Sequence, residues 1–144
     1  MFDLDPDDRI SAWSHFRASL NDSATPLNDL IEFWQEAPFI PYNKNVDPFN
    51  QYAWPTPWDI IVENRYDDFT KALMMSWTLK LTDKFKDSKI EIKTYTDDEK
   101  NKVYNLVIVD NSSVINYNDN SLISVQELSD SIRLENLIEV HRPR

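Results

Sequence analysis

Neither glycine nor cysteine occurs anywhere in this chain of 144 residues. At the usual glycine frequency of about 7%, roughly ten would be expected at this length. Their absence removes the glycine-rich phosphate loops, both the dinucleotide fingerprint and the P-loop, because a Cβ would hold the backbone away from the phosphate. It also excludes a G-x-S-x-G nucleophile elbow. Turns and helix ends that need positive φ must fall to Asn and Asp, and "DNSS" (110–113) and "NYNDNS" (116–121) meet that need. The lack of cysteine excludes disulfides, thiolate nucleophiles and Cys-ligated zinc.

Histidine is scarce as well. His15 lies in a predicted helix and His141 in the tail "EVHRPR", neither with a carboxylate at a motif spacing, and both read as surface or partly packed imidazoles. No apolar run approaches the roughly 20 residues of a membrane span. The opening "MFDLDPDDRI" carries four aspartates and one arginine, the reverse of a signal peptide. The expected location is therefore the compartment in which the chain is made, or a particle built there. Fifteen basic against 25 acidic residues give a net charge of −10. Direct binding to nucleic acid or anionic lipid is disfavoured by long-range repulsion, and a basic partner is easier to accommodate.

What is present suits one globular domain over residues 1–144, since 41% of the residues are hydrophobic and 12% aromatic. An acidic arm (1–8) precedes a first helix, with Asp5 or Asp7 as cap, Pro6 near its start, and Ile10, Trp13, Phe16, Arg17 and Leu20 at helical spacing. Thr25 and Pro26 start a second helix that carries Leu27, Leu30, Ile31 and Trp34 and ends before Pro38. From 38 to 57 five prolines alternate with aromatics and no periodicity survives, which predicts an ordered, extended wrap. Thr56, Pro57 and Asp59 form the start signal of a short helix through about Asn64.

The strongest helix signal is "YDDFTKALMMSWTLKLTDKF", started by Asp67 or Asp68 and apolar enough to be the central element of the core. After it the period falls to two. Strands are expected at 89–96, 102–110, 113–118 and 137–141, with Ser124 and Glu127 as a capping box between the last two. "LVIVD" reads as a central strand and "KIEIKTYT" as an edge or half-exposed one. The predicted fold is α+β: N-terminal helices and one central helix packed on a small, mostly antiparallel sheet of about four strands. A short basic tail, 141–144, closes the chain.

Few constellations point to chemistry. Asp3, Asp5 and Asp7 have the spacing of the first calcium-loop ligands, but Asp8 and Ser14 stand where the loop needs Gly and Glu. Asp110, at the end of the central strand, with Asp67 or Asp68 at the helix start, is the one carboxylate set that a hydrolase could use. No cofactor or metal site is expected. The order of a helix after an aromatic-rich approach, then an antiparallel sheet, is similar to papain and transglutaminase type domains. Here "RYDDF" opens the helix, so Asp67 or Asp68 occupies the place of the thiol, and the resemblance implies an inactive copy.

A more specific resemblance lies in "AWPTPWDIIVENRYDDFTKALMMSWTLKL" joined to "YNLVIVDNSSVINYN", residues 53–118. It resembles small proteins of tailed phages in which a W-P-T-P-W-acid motif precedes a helix and a strand ends in Val-Asp. Those proteins are mostly of unassigned activity, and the resemblance implies a virion structural or assembly role, in the head, neck or tail. Its partners would be other phage structural proteins, with a homo-oligomer also open. Within the motif, Trp54 and Trp58 flank "PTP". Either both rings lock the short helix onto the central helix near Trp77, or one stays exposed with Phe49 and Tyr52 as a protein-binding anchor. The expectation is a noncatalytic protein acting through Phe49, Tyr52, Trp54 and Trp58. The alternatives are an acidic effector of a basic host protein and a carboxylate hydrolase.

Overall fold

The computed structural model describes residues 1–118 and 121–143, so the basic tail is described to Pro143 and the second turn segment lacks 119 and 120. Four helices, α1 (Pro6–Leu20), α2 (Pro26–Gln35), α3 (Pro57–Glu63) and α4 (Asp68–Lys80), precede five strands. These are β1 (Ile90–Asp97), β2 (Lys102–Val109), β3 (Ser113–Ile115), β4 (Ile123–Ser124) and β5 (Ile132–Glu139). They form one antiparallel sheet in the order β4-β3-β2-β1-β5. The fold is α+β.

Local chemistry sets the helix starts. Asp5 precedes Pro6 without a side-chain cap bond, whereas Thr56 and Asp59 exchange both bonds of a capping box on α3. Asp67 Oδ1 accepts from the Thr70 amide at 2.7 Å and so caps α4. Among the described residues five take positive φ, and all are Asn or Asp: Asn64, Asn101, Asp110, Asn111 and Asn116. Three of them fall in the two segments expected to do so. Asn64 ends α3 in the left-handed conformation, the place a glycine usually holds.

From Phe69 to Leu79 every residue of α4 except Lys71 is buried, so this helix is the core on all sides. One face of the sheet joins it through Ile90, Ile92, Val107, Val109 and Ile115. Trp13 of α1 is fully buried and donates its indole N–H to Thr78 Oγ1 of α4 at 3.0 Å. The other face forms a second, smaller core of Tyr104, Leu106, Ile108 and Val114. The segment after β3 covers it with Tyr117, Ile123, Val125 and Leu128.

The strand count is five, not four. A two-residue β4 is too short for periodicity to register. β5 begins at Ile132, well before the expected 137, because an irregularity opposite Thr94 and Tyr95 breaks its alternation and leaves Arg133, Leu134 and Glu135 exposed. β3 stops at Ile115, since Asn116 has φ 70° and leaves the extended region. β2 is central as expected, but β1 is interior as well, paired with β2 on one side and β5 on the other. Of its polar residues, Lys93, Thr94 and Thr96 are only part-buried, while the buried Asp97 accepts from the Glu99 and Lys100 amides and the Ser131 hydroxyl, and the buried Glu91 pairs with Lys89.

Arg9 has no counterpart in the helical stripe read from the sequence. It is buried and donates to three carbonyls: Nε to Ile61 at 3.0 Å, Nη2 to Val62 at 2.7 Å and Nη1 to Leu4 at 2.5 Å. Ile61 and Val62 lie in the last turn of α3, whose carbonyls have no intrahelical partner. A cation at that helix end also meets the negative pole of its dipole.

Candidate functional site

The wrap from 38 to 57 is irregular apart from a 3-10 turn at Gln51–Ala53, and side chains rather than a ladder hold it. Asn43 is buried; its amide donates to Asp67 Oδ2 and its Nδ2 to the Arg65 carbonyl. Phe39 forms a bridge with Tyr66, and Val46 is buried in the core. Asp47 then organises the turn. Its Oδ1 accepts from the Phe49 amide, while its carbonyl accepts from the Asn50 amide and, at 2.5 Å, from Trp54 Nε1. One carboxylate, Asp67, thus both caps the central helix and anchors the wrap at Asn43.

The four aromatic residues singled out from the sequence separate into two pairs. Trp54 is half-buried against Phe69 and Trp77, with ring centroids 5.8 and 6.0 Å away. Trp58 turns instead to Trp13 of α1, 6.1 Å away, so the two indoles clasp different helices. Phe49 and Tyr52 point outward and are 83% and 85% exposed, among the most exposed large apolar side chains in the described residues. A proline-rich backbone pinned by the half-buried Trp54 thus presents two aromatic rings to solvent. Their exposure carries an apolar-hydration cost that packing against a partner would remove.

Beside this ledge runs the outer edge of the sheet. Val140 N donates to the Ile90 carbonyl, so by antiparallel alternation Ile138 and Asn136 face β1 while the peptide groups of Leu137 and Glu139 turn outward. Three hollows line the seam, and Gln51 borders all of them. One of about 560 Å³ lies between Tyr52 and Leu137, one of about 210 Å³ between Phe49 and Asn136, and one of about 140 Å³ where Trp54 and Trp77 meet His141 and Arg142. Leu134 and Leu137 are about half exposed on the same strand. Ledge and strand edge together make a furrow with apolar walls and unpaired peptide groups, the chemistry that recognises an extended or apolar segment of another protein.

The carboxylates considered for hydrolysis are otherwise engaged. Asp67 caps α4, Asp68 accepts from Asn105 and Asn116, and Asp110 Oδ1 accepts from the Lys89 amide. Asp68 meets β2 at Asn105, five residues from Asp110, which at strand rise is roughly 16 Å along the chain. These groups do not converge. Asp3, Asp5 and Asp7 are exposed, and among the described residues no three His, Asp or Glu side chains are grouped to hold a metal ion. Among those residues, no helix is long and apolar enough to cross a membrane.

The sequence pointed to the wrap but not to β5. Ile138 and Glu139 become neighbours of the ledge only through the strand order, for which local patterning carries no signal. No protein-family model matches this chain, and no curated protein matches it significantly.

Proposed function

We propose that this chain is a noncatalytic structural or assembly protein of a tailed phage, a virion component that acts through protein–protein contacts at the Phe49–Tyr52 ledge. The observation that carries the proposal is the exposure of those two rings on a backbone held by Asn43, Asp47, Trp54 and the flanking prolines. A preorganised aromatic pair loses little conformational entropy on docking, and aromatic anchors dominate interface energetics. The phage context rests on the resemblance of residues 53–118, and the noncatalytic reading is supported by the structural engagement of Asp67, Asp68 and Asp110.

Two measurements test it. Mass spectrometry of purified virions should find the chain, and pull-down from infected cells should recover at least one phage structural protein. The double variant Phe49→Ala/Tyr52→Ala should lose that protein while its unfolding midpoint stays at the parent value. A chain missing from virions and retaining no phage protein would defeat the proposal.

A further inference from the structure

A separate hollow of about 410 Å³, sharing no residue with the furrow, opens between α1 and α2. Its apolar floor is Met1, Phe2, Phe16 and Phe33, and its rim is acidic: Asp29, Glu32 and Glu36. Phe16 and Phe33 are part-exposed and stack face to face, with centroids 3.9 Å apart and planes at 10°. Phe2 braces Phe33 from the side at 5.6 Å. No lysine, arginine or histidine side chain lines the hollow; Met1 brings the α-ammonium to its floor, and that group forms no ion pair with the rim carboxylates.

The three rim carboxylates differ. Asp29 is satisfied from within, accepting from the hydroxyls of Ser23 and Thr25. Glu32 and Glu36 are exposed, and neither forms an ion pair among the described residues. They stand one helical turn apart, a spacing at which like charges repel. They also sit at the end of α2, which has no basic residue in its last turn, so the negative pole of the helix dipole opposes them too. The free protein therefore presents two exposed, like-charged carboxylates with no ion-pair partner among the described residues, beside two part-exposed aromatic rings.

A guanidinium removes each of these penalties together. It bridges two carboxylates through its fork of donors, stacks on an aromatic face, and lays its aliphatic stem on an apolar floor. We infer that this hollow is a second docking surface and that its occupant is an arginine-bearing, otherwise apolar segment of a partner protein. The net charge of −10 draws such a segment toward the chain, and the Glu32–Glu36 pair on the rim of the hollow fixes where it seats.

The test uses the full chain, labelled with ¹⁵N, and a synthetic capped peptide of leucine and arginine, beside the same peptide with glutamine for arginine. The arginine peptide should shift amide signals around Phe16 and from Asp29 to Glu36, and its affinity should fall with added salt. Glu32→Gln/Glu36→Gln should weaken it at least tenfold. Glu99→Gln/Asp130→Asn, which removes the same charge from exposed positions elsewhere, should stay within twofold. The rim variant should unfold at a temperature equal to or slightly above the parent's, which separates lost binding from lost folding. Equal weakening by the two charge variants, equal binding of the glutamine peptide, signals elsewhere on the surface, or a lowered unfolding temperature of the rim variant would each overturn the inference. Phe49→Ala/Tyr52→Ala should leave this binding intact, so the ledge and the hollow stand or fall separately.

Discussion

Replacing Arg9 by Met keeps most of the aliphatic stem and removes the guanidinium, so the change isolates three hydrogen bonds. The bond to Ile61 is buried, and the orphaned carbonyl loses its partner with no route to solvent, a cost of about 2 kcal/mol. The bonds to Leu4 and Val62 are only part-buried, and those carbonyls recover water, so about 0.5 kcal/mol each is the reasonable loss. Removing the cation from the end of α3 adds a few tenths. The sum, about 3 kcal/mol, is a large share of the 5–15 kcal/mol that stabilises an ordinary domain. With a urea dependence of roughly 2 kcal/mol per molar, the unfolding midpoint followed by tryptophan fluorescence should fall by about 1.5 M. Arg9→Lys should recover only part of this, because one ammonium cannot reach three carbonyls as a planar fork does. A loss below about 0.5 M for Arg9→Met, or full recovery with lysine, would refute the reasoning that Arg9 closes α3 against α1.

Tyr66 is buried, and its hydroxyl has no hydrogen-bond partner among the described protein groups. Burial raises its pKa above the ordinary 10.0, an effect that nearby Arg9 only partly offsets. Above that pH the unfolded chain gives up the phenolic proton while the native chain keeps it, so stability falls as pH rises, by up to about 1.4 kcal/mol per unit. Tyr66→Phe should match or exceed the parent at pH 7 and lose less stability between pH 9 and 11, as read by urea midpoints. Trp54→Ala, which strips the contacts to Phe69 and Trp77, should cost about 2–3 kcal/mol, while Phe49→Ala should stay within about 0.5 kcal/mol, both by thermal unfolding. Asn64→Ala should cost about 1–2 kcal/mol, because φ is 59° there and the side-chain bond to the Phe2 carbonyl is lost. Asn64→Gly should lose only the bond.

Much of the helical half is readable because its signals are local. Thr56, Pro57 and Asp59 act within four consecutive residues, as do Asp67 with Thr70 and Ser124 with Glu127, so the capping pattern places the starts at Thr56 and Ser124 and narrows that of α4 to Asp67 or Asp68. The candidate site was half readable for the same reason. A proline-stiffened, aromatic run is visible in composition, but whether each ring turns inward depends on what lies behind it. Trp54 found α4, Trp58 found α1, and Phe49 and Tyr52 found nothing. The acidic hollow on α1 and α2 was legible only as overall acidity, since Phe16 and Phe33 meet across two helices.

The sequence alone determined the α+β order, the starts of α2 and α3, and the assignment of positive φ to Asn and Asp in a chain without glycine. These follow from steric and hydrogen-bonding rules that act within a few residues. Only the tertiary structure decided that β1 lies inside the sheet, that β5 offers its edge to the Phe49–Tyr52 ledge, and that an arginine in α1 fastens the end of α3, about fifty residues away. Such pairings form between groups far apart in the chain, and each depends on the packing of the whole core rather than on its neighbours in sequence.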